Sequence, residues 1–218
     1  MSTTVETMPR VRAALGSVHE QLRRSGTWWD AEQLGLIARR ARDGFAQRAN
    51  PPWMRELPAE VAGLPSAALA VIDKIATDPG SVDRAWAHEQ IDVLGDGSYV
   101  ELVGITAVAV MVHMYADCAN EKVVPLGDPA DDAGVPSRLR PDGLGDIGAH
   151  VEMLEPFDYA NVSRALSLVP SANLAFYTLV RPMYSEAGFD ELVWETPLSR
   201  PQVELVASRV AALNECFY

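Results

Sequence analysis

Glu204 and Cys216 stand twelve residues apart near the C-terminus of the 218-residue sequence, a carboxylate and a thiol on one short segment. That pair can do thiol chemistry. Thiolate is the nucleophile, a free thiol near pKa 8.5 is mostly protonated at neutral pH, and a positioned base raises the reactive fraction. The other cysteine, Cys118, reads as a helix-packing residue, although a Cys118–Cys216 disulfide stays open because pairing depends only on Cα atoms coming within about 7 Å. In one straight helix twelve residues rise about 18 Å, so a relay between Glu204 and Cys216 requires a break, for which Asn214 is the expected place.

Other constellations carry less. His19, His88, His113 and His150 are scattered, without a His-x-x-x-His pair, and no metal or cofactor is expected. Asp128, Asp131 and Asp132 lack the alternating ligands of a calcium loop and read as a solvated segment. Gly143-Leu144-Gly145 follows no strand, so it is not a phosphate loop. Trp28-Trp29, beside Asp30, reads as a core anchor at a helix start.

The elements that must position these residues are helical. Val5 to Arg24 and Ala31 to Arg48 carry apolar residues at spacings of three and four, and Asn50-Pro51-Pro52 stops the second. Ala67 to Ala76 and Val82 to Leu94 follow, split by Asp78-Pro79-Gly80. Leu102 to Val112 is the longest apolar run, too short to span a bilayer and suited to the inside of a bundle. Asn161 to Leu168, Ser171 to Tyr184 and Pro201 onward complete the set, and no hairpin pattern is evident. Between Pro125 and Gly148 stand nine Gly or Pro and five Asp, a loop composition. The expected division is 1–124 as an N-terminal helical unit, 125–150 as linker, and 151–218 as the start of a second unit.

Two helix starts resemble each other. Ser98-x-x-Glu101 has capping-box spacing, and Ser199-x-x-Gln202 repeats it with Pro201 in the first turn. Val100-Glu101-Leu102-Val103 returns 103 residues later as Val203-Glu204-Leu205-Val206, with Ala109 matching Ala212 and Tyr115 matching Tyr218, which suggests a duplicated unit. Glu101 completes its own capping box. Glu204 does not, because Gln202 holds that position, so Glu204 is the better candidate for chemical work.

The segment from Glu204 to Tyr218 resembles the signature helix of the alkylhydroperoxidase D-like (carboxymuconolactone decarboxylase-like) superfamily. The redox branch of that family has a glutamate, a cysteine twelve residues on, a second cysteine three further and a histidine four beyond. The resemblance implies an all-α, duplicated helical bundle, with Cys216 as the redox thiol and Glu204 as its relay carboxylate. It also implies a small hydroperoxide as substrate, a dithiol electron donor, and a homo-oligomer (trimer or hexamer). The sequence stops at Tyr218, one residue short of the second cysteine, and His113, Ala116 and Asn120 occupy the corresponding places in the first unit. A lone Cys216 reaches sulfenic acid with no neighbouring thiol to resolve it, so impaired turnover is expected. The alternatives are a non-enzymatic helical oligomerisation scaffold and the family's decarboxylase branch.

Composition narrows the classes further. With 18 Lys+Arg against 30 Asp+Glu the net charge is −12, which disfavours a nucleic-acid partner or an anionic membrane surface. The 48% hydrophobic content excludes intrinsic disorder, and two cysteines exclude a disulfide framework. The N-terminus has no signal-peptide core, so a cytoplasmic protein is expected.

Overall fold

The computed structural model describes residues 8–124, 127–156, 161–184 and 198–213. Among them it is mostly helical: α1 Pro9–Leu22, α2 Ala31–Ala46, α3 Ser66–Thr77, α4 Arg84–Leu94, α5 Asp96–Ala119, α6 Asn161–Arg164, α7 Pro170–Tyr184 and α8 Arg200–Leu213. A two-residue antiparallel pair, β1 Leu144–Gly145 with β2 Met153–Leu154, interrupts the expected loop.

Helix α5 is the axis of the bundle. It packs against α2, α3, α4 and α7, while α1 lies mainly on α7. Being surrounded, it is apolar on most of its faces, with Leu102, Ile105 and Val108 buried. It ends at Asn120, whose φ of 55° is the left-handed geometry that closes a helix. The same core takes in Val18 of α1, Ile37 of α2, Val71 and Ile72 of α3, and Ala172, Ala175 and Leu179 of α7. Residues on both sides of the Pro/Gly/Asp-rich segment thus share one hydrophobic cluster. Arg10 Nε donates to Pro182 O, and Gln21 Nε2 donates to Ser171 O, tying α1 to α7.

Several boundaries move for identifiable reasons. Proline is tolerated at the first helical position and starts α1 at Pro9; residues 1–7, where that helix was expected to begin, lie outside the described residues. Helix α4, expected from Val82, begins at Arg84 behind the N-cap Asp83, whose side chain accepts from Trp86 N. Asp30 and Gln33 form a complete capping box on α2. The expected box at Ser98 is not formed. Helix α5 begins two residues earlier, behind Gly95 at φ 80°, which leaves Ser98 inside the first turn and frees Glu101 for other partners. Asn161 to Leu168 is helical only to Arg164. At Ser199 half of the expected device is present, with Ser199 N–H donating to Gln202 Oε1 at 2.8 Å.

The Pro/Gly/Asp-rich segment is pinned in place. Ala130 N–H donates to Arg23 O, Ser25 N–H to Ala133 O, and Arg138 N–H to Thr27 O, so it runs beside the turn between α1 and α2. Arg140 fixes its far end, bridging Asp96 at 2.7 Å and Glu152 at 2.5 Å.

Candidate functional site

Among the described residues the most heavily buried acidic group is Glu101, 1% exposed, on the central helix α5. Its carboxylate accepts three consecutive backbone N–H groups of the α1–α2 turn: Thr27 at 2.7 Å on Oε1, and Trp28 at 2.6 Å and Trp29 at 3.0 Å on Oε2. Successive N–H groups converging in this way form an anion cradle, here filled by an internal carboxylate. The nearby Ser171 hydroxyl, in the first turn of α7, also favours the ionised form of Glu101. Burial nonetheless outweighs these bonds and raises the Glu101 pKa above the ordinary 4.5.

Local sequence explains the approach. Gly26 has no side chain to block the carboxylate, since a β-carbon there would lie 2.8 Å from the Glu101 carboxyl carbon. Trp29 is buried and its Nε1–H donates to Ser98 O at 3.0 Å, while Trp28 lies against the backbone of Gly97. The tandem tryptophans therefore act as anchors, as expected of them. Above this floor opens a cleft of about 390 Å³ lined by Thr27, Glu101, Ser171 and apolar walls from Leu22, Leu34 and Ile105. Thr27 Oγ1 and Ser171 Oγ are 2.9 Å apart.

Glu204, the sequence-matched counterpart of Glu101, occupies a different environment. It lies in the second turn of α8, a helix with no buried residue, where the Tyr184 hydroxyl donates to its Oε2 at 2.9 Å and Arg200 Nε lies 3.6 Å from Oε1. Partial burial, then the hydrogen bond and charge of Glu204, raise the Tyr184 pKa above 10.0. Helix α8 is continuous from Glu204 to Leu213. Cys216 and Asn214 lie outside the described residues, so the distance from Glu204 to the thiol is not defined. Leu205 is 71% exposed where its repeat partner Leu102 is fully buried, which shows that matching sequences here have unlike surroundings.

The remaining candidates separate. Cys118 is exposed near the end of α5, between the buried Ala116 and Ala119, and so does not fill the helix-packing role expected of it. His88 and His150 come together edge to face with centroids 6.1 Å apart. Partial burial first, then the Arg84 and His88 charges, lower the His150 pKa. His113 packs its ring edge against Phe45, 5.6 Å between centroids, and its Nε2 is 4.0 Å from Asp117. Among the described residues no three metal-ligating side chains cluster. Asp132 pairs with Arg24 at 2.8 Å, and Asp128 offers its carbonyl to Arg23.

The pairing of Glu101 with the Thr27–Trp29 turn was not legible in the sequence, because its partners stand 72 to 74 positions away. The available signal was an acidic residue inside an apolar run, together with a glycine preceding the tryptophans. The chain matches no protein-family model, no curated protein and no solved structure.

Proposed function

We propose that this chain is a thiol-dependent peroxidase-like protein of the alkylhydroperoxidase D-like type, a duplicated helical bundle with Cys216 as its reacting thiol and Glu204 as relay carboxylate. The observation that carries the reading is the setting of Glu204: the Tyr184 hydroxyl donates to it and Arg200 lies beside it, so the family-matched carboxylate is held in a fixed hydrogen-bonded position on α8. In the reaction the Cys216 thiol gives its proton to that relay. The thiolate attacks the terminal oxygen of a small hydroperoxide, the O–O bond breaks, and the departing alkoxide takes a proton to leave as alcohol. Sulfur is oxidised to sulfenic acid as the peroxide is reduced. A dithiol donor then attacks the sulfenic acid, releasing water and forming a mixed disulfide, and its second thiol frees Cys216 as a thiol.

The test is peroxide consumption without and with a dithiol. Without donor, wild type consumes about one equivalent of hydroperoxide per Cys216, Cys118→Ser does the same, and Cys216→Ser consumes none above background. Equal consumption by Cys216→Ser would overturn the reading, as would an alkylation midpoint for Cys216 near that of free cysteine.

A second reading, a non-enzymatic helical oligomerisation scaffold assembled from copies of this chain, is favoured by one feature. Helix α8 presents Leu205, Val206, Val210 and Leu213 at 50% exposure or more. Val206, Val210 and Leu213 follow helical spacing, so they form one uncovered apolar stripe. Sedimentation velocity separates the two readings. A scaffold requires stable oligomers that Val206→Glu with Val210→Glu dissociates, with peroxide consumption absent throughout.

A further inference from the structure

We propose that the groove along α7 binds a small organic carboxylate, with its charged end on Arg181 and a hydrogen-bond acceptor at its far end on Ser167. The groove measures about 600 Å³, within the range of small-molecule sites, and runs from Ser167, just before the helix, to Arg181 in its last turn. In a chain of net charge −12 its lining stands out. Among the described residues that form it there is no acid, and Arg181 is the one charged group. Arg181 has no hydrogen-bond or ion-pair partner among the described residues. Its guanidinium leans back toward the helix start, as helical side chains do, and lies over the Tyr177 ring, 5.9 Å from the centroid. That ring is itself held, because the phenol donates to Val162 O at 3.0 Å. The groove therefore carries a positioned cation whose N–H groups are unspent.

The other end is set by Ser167, 5% exposed. Its Oγ accepts the Leu154 N–H at 2.9 Å, a direction fixed by chemistry, since a backbone nitrogen only donates. The Ser167 hydroxyl hydrogen is thus left over, with no acceptor among the described residues. The hydroxyls of Tyr177 and Thr178 differ, having given their hydrogens to Val162 O and Leu174 O. Between the two ends Leu154 and the 64% exposed Leu174 supply apolar sides. A buried donor at one end and a free guanidinium at the other select an anion that also carries a distant acceptor, and they repel a cation. From Pro170 to Tyr177 the helix rises about 10 Å, which sets the span between the two groups. Glu204 is not on this lining.

The experiment uses three probes of equal length: 7-oxooctanoate, which has the charge and the far acceptor, 7-oxooctanamide, which lacks the charge, and octanoate, which lacks the acceptor. Each is titrated into the ¹⁵N-labelled full chain at low salt while the backbone amides of Leu154 and Arg181 are followed. The expected result is a saturable shift with 7-oxooctanoate and binding of the amide weaker by about three- to tenfold. Arg181→Gln, at a side chain without a folding partner, should bring the acid down to the level of the amide, and Arg181→Lys should keep part of the preference. The Leu154 amide, bonded to Ser167, should move with 7-oxooctanoate and less with octanoate. No saturable shift with 7-oxooctanoate, equal binding of acid and amide to wild type, a preference that survives Arg181→Gln, or an equal Leu154 response to the two acids would each overturn the proposal. Cys216→Ser should retain the binding, which separates the fate of this site from that of the peroxidase reading.

Discussion

Gly26 faces the carboxylate of Glu101 at a distance that leaves no room for a side chain: a β-carbon would stand 2.8 Å from the carboxyl carbon and closer still to Oε1. Because that carboxylate caps Thr27, Trp28 and Trp29, the glycine sets the register between the central helix and the turn that starts α2. Gly26→Ala is expected to destabilise the protein by about 1–3 kcal/mol, the usual cost of overpacking a closed site. Gly16→Ala is the control. It lies inside α1 with open space around it, so it should stabilise by about 0.5–1 kcal/mol. Urea unfolding of the two variants checks both signs.

Glu101 gives a pH dependence. Its folded pKa is raised above 4.5 by burial, so the folded state favours the protonated form. Its contribution to stability is fully present below the unfolded value and is lost as pH rises through the higher folded value. The stability of wild type relative to Glu101→Gln should therefore fall with rising pH across that window, then level off. Taking the difference between the two proteins cancels the other carboxylates. A difference that grows with pH would contradict the dominance of burial over the three N–H bonds.

Arg40 and Asp73 form a two-pronged pair, Nε to Oδ1 and Nη2 to Oδ2, each 2.7 Å, joining α2 to α3, and Arg40 also donates to Pro58 O at 2.6 Å. Arg40 is buried, while Asp73 keeps 32% of its side chain in solvent. Asp73→Asn leaves a buried guanidinium short of its charge partner and should cost about 2–4 kcal/mol, toward the lower side of fully buried pairs. Arg40→Met with Asp73→Leu should cost less than the sum of the separate changes by at least about 1 kcal/mol. A double-mutant cycle measures this coupling.

Tyr184 and Glu204 are coupled through the phenol hydrogen bond. Partial burial, followed by the Glu204 hydrogen bond and charge, holds the Tyr184 phenol in its protonated form above pH 10.0. Glu204→Gln removes the charge and should bring that titration down toward 10.0 without restoring it fully, since the burial persists. Carbon-13 labelling of the tyrosine rings reads Tyr184 separately from the other five. No movement would mean that the contact is not made in solution.

The sequence by itself determined the helices, because spacing of apolar residues, capping side chains and proline stops are local quantities. Leu34, Ile37 and Ala41 predict the buried face of α2, and Asn50-Pro51-Pro52 stands a few residues beyond where that helix ends at Ala46. It also showed Glu101 and Glu204 as acids in runs that should be apolar, and capping-box spacing pointed to Glu204 rather than Glu101 as the one with chemical work. Only the tertiary structure decided what Glu101 does. Its N–H partners lie about 70 residues away in the turn before α2, and they meet it because α2 and α5 pack side by side. The same limit separates Glu101 from Glu204: identical flanking residues place both near a helix start, yet one is enclosed by neighbouring helices and the other lies on a helix with no buried residue. Burial is a property of what packs around a residue, which a local motif does not encode.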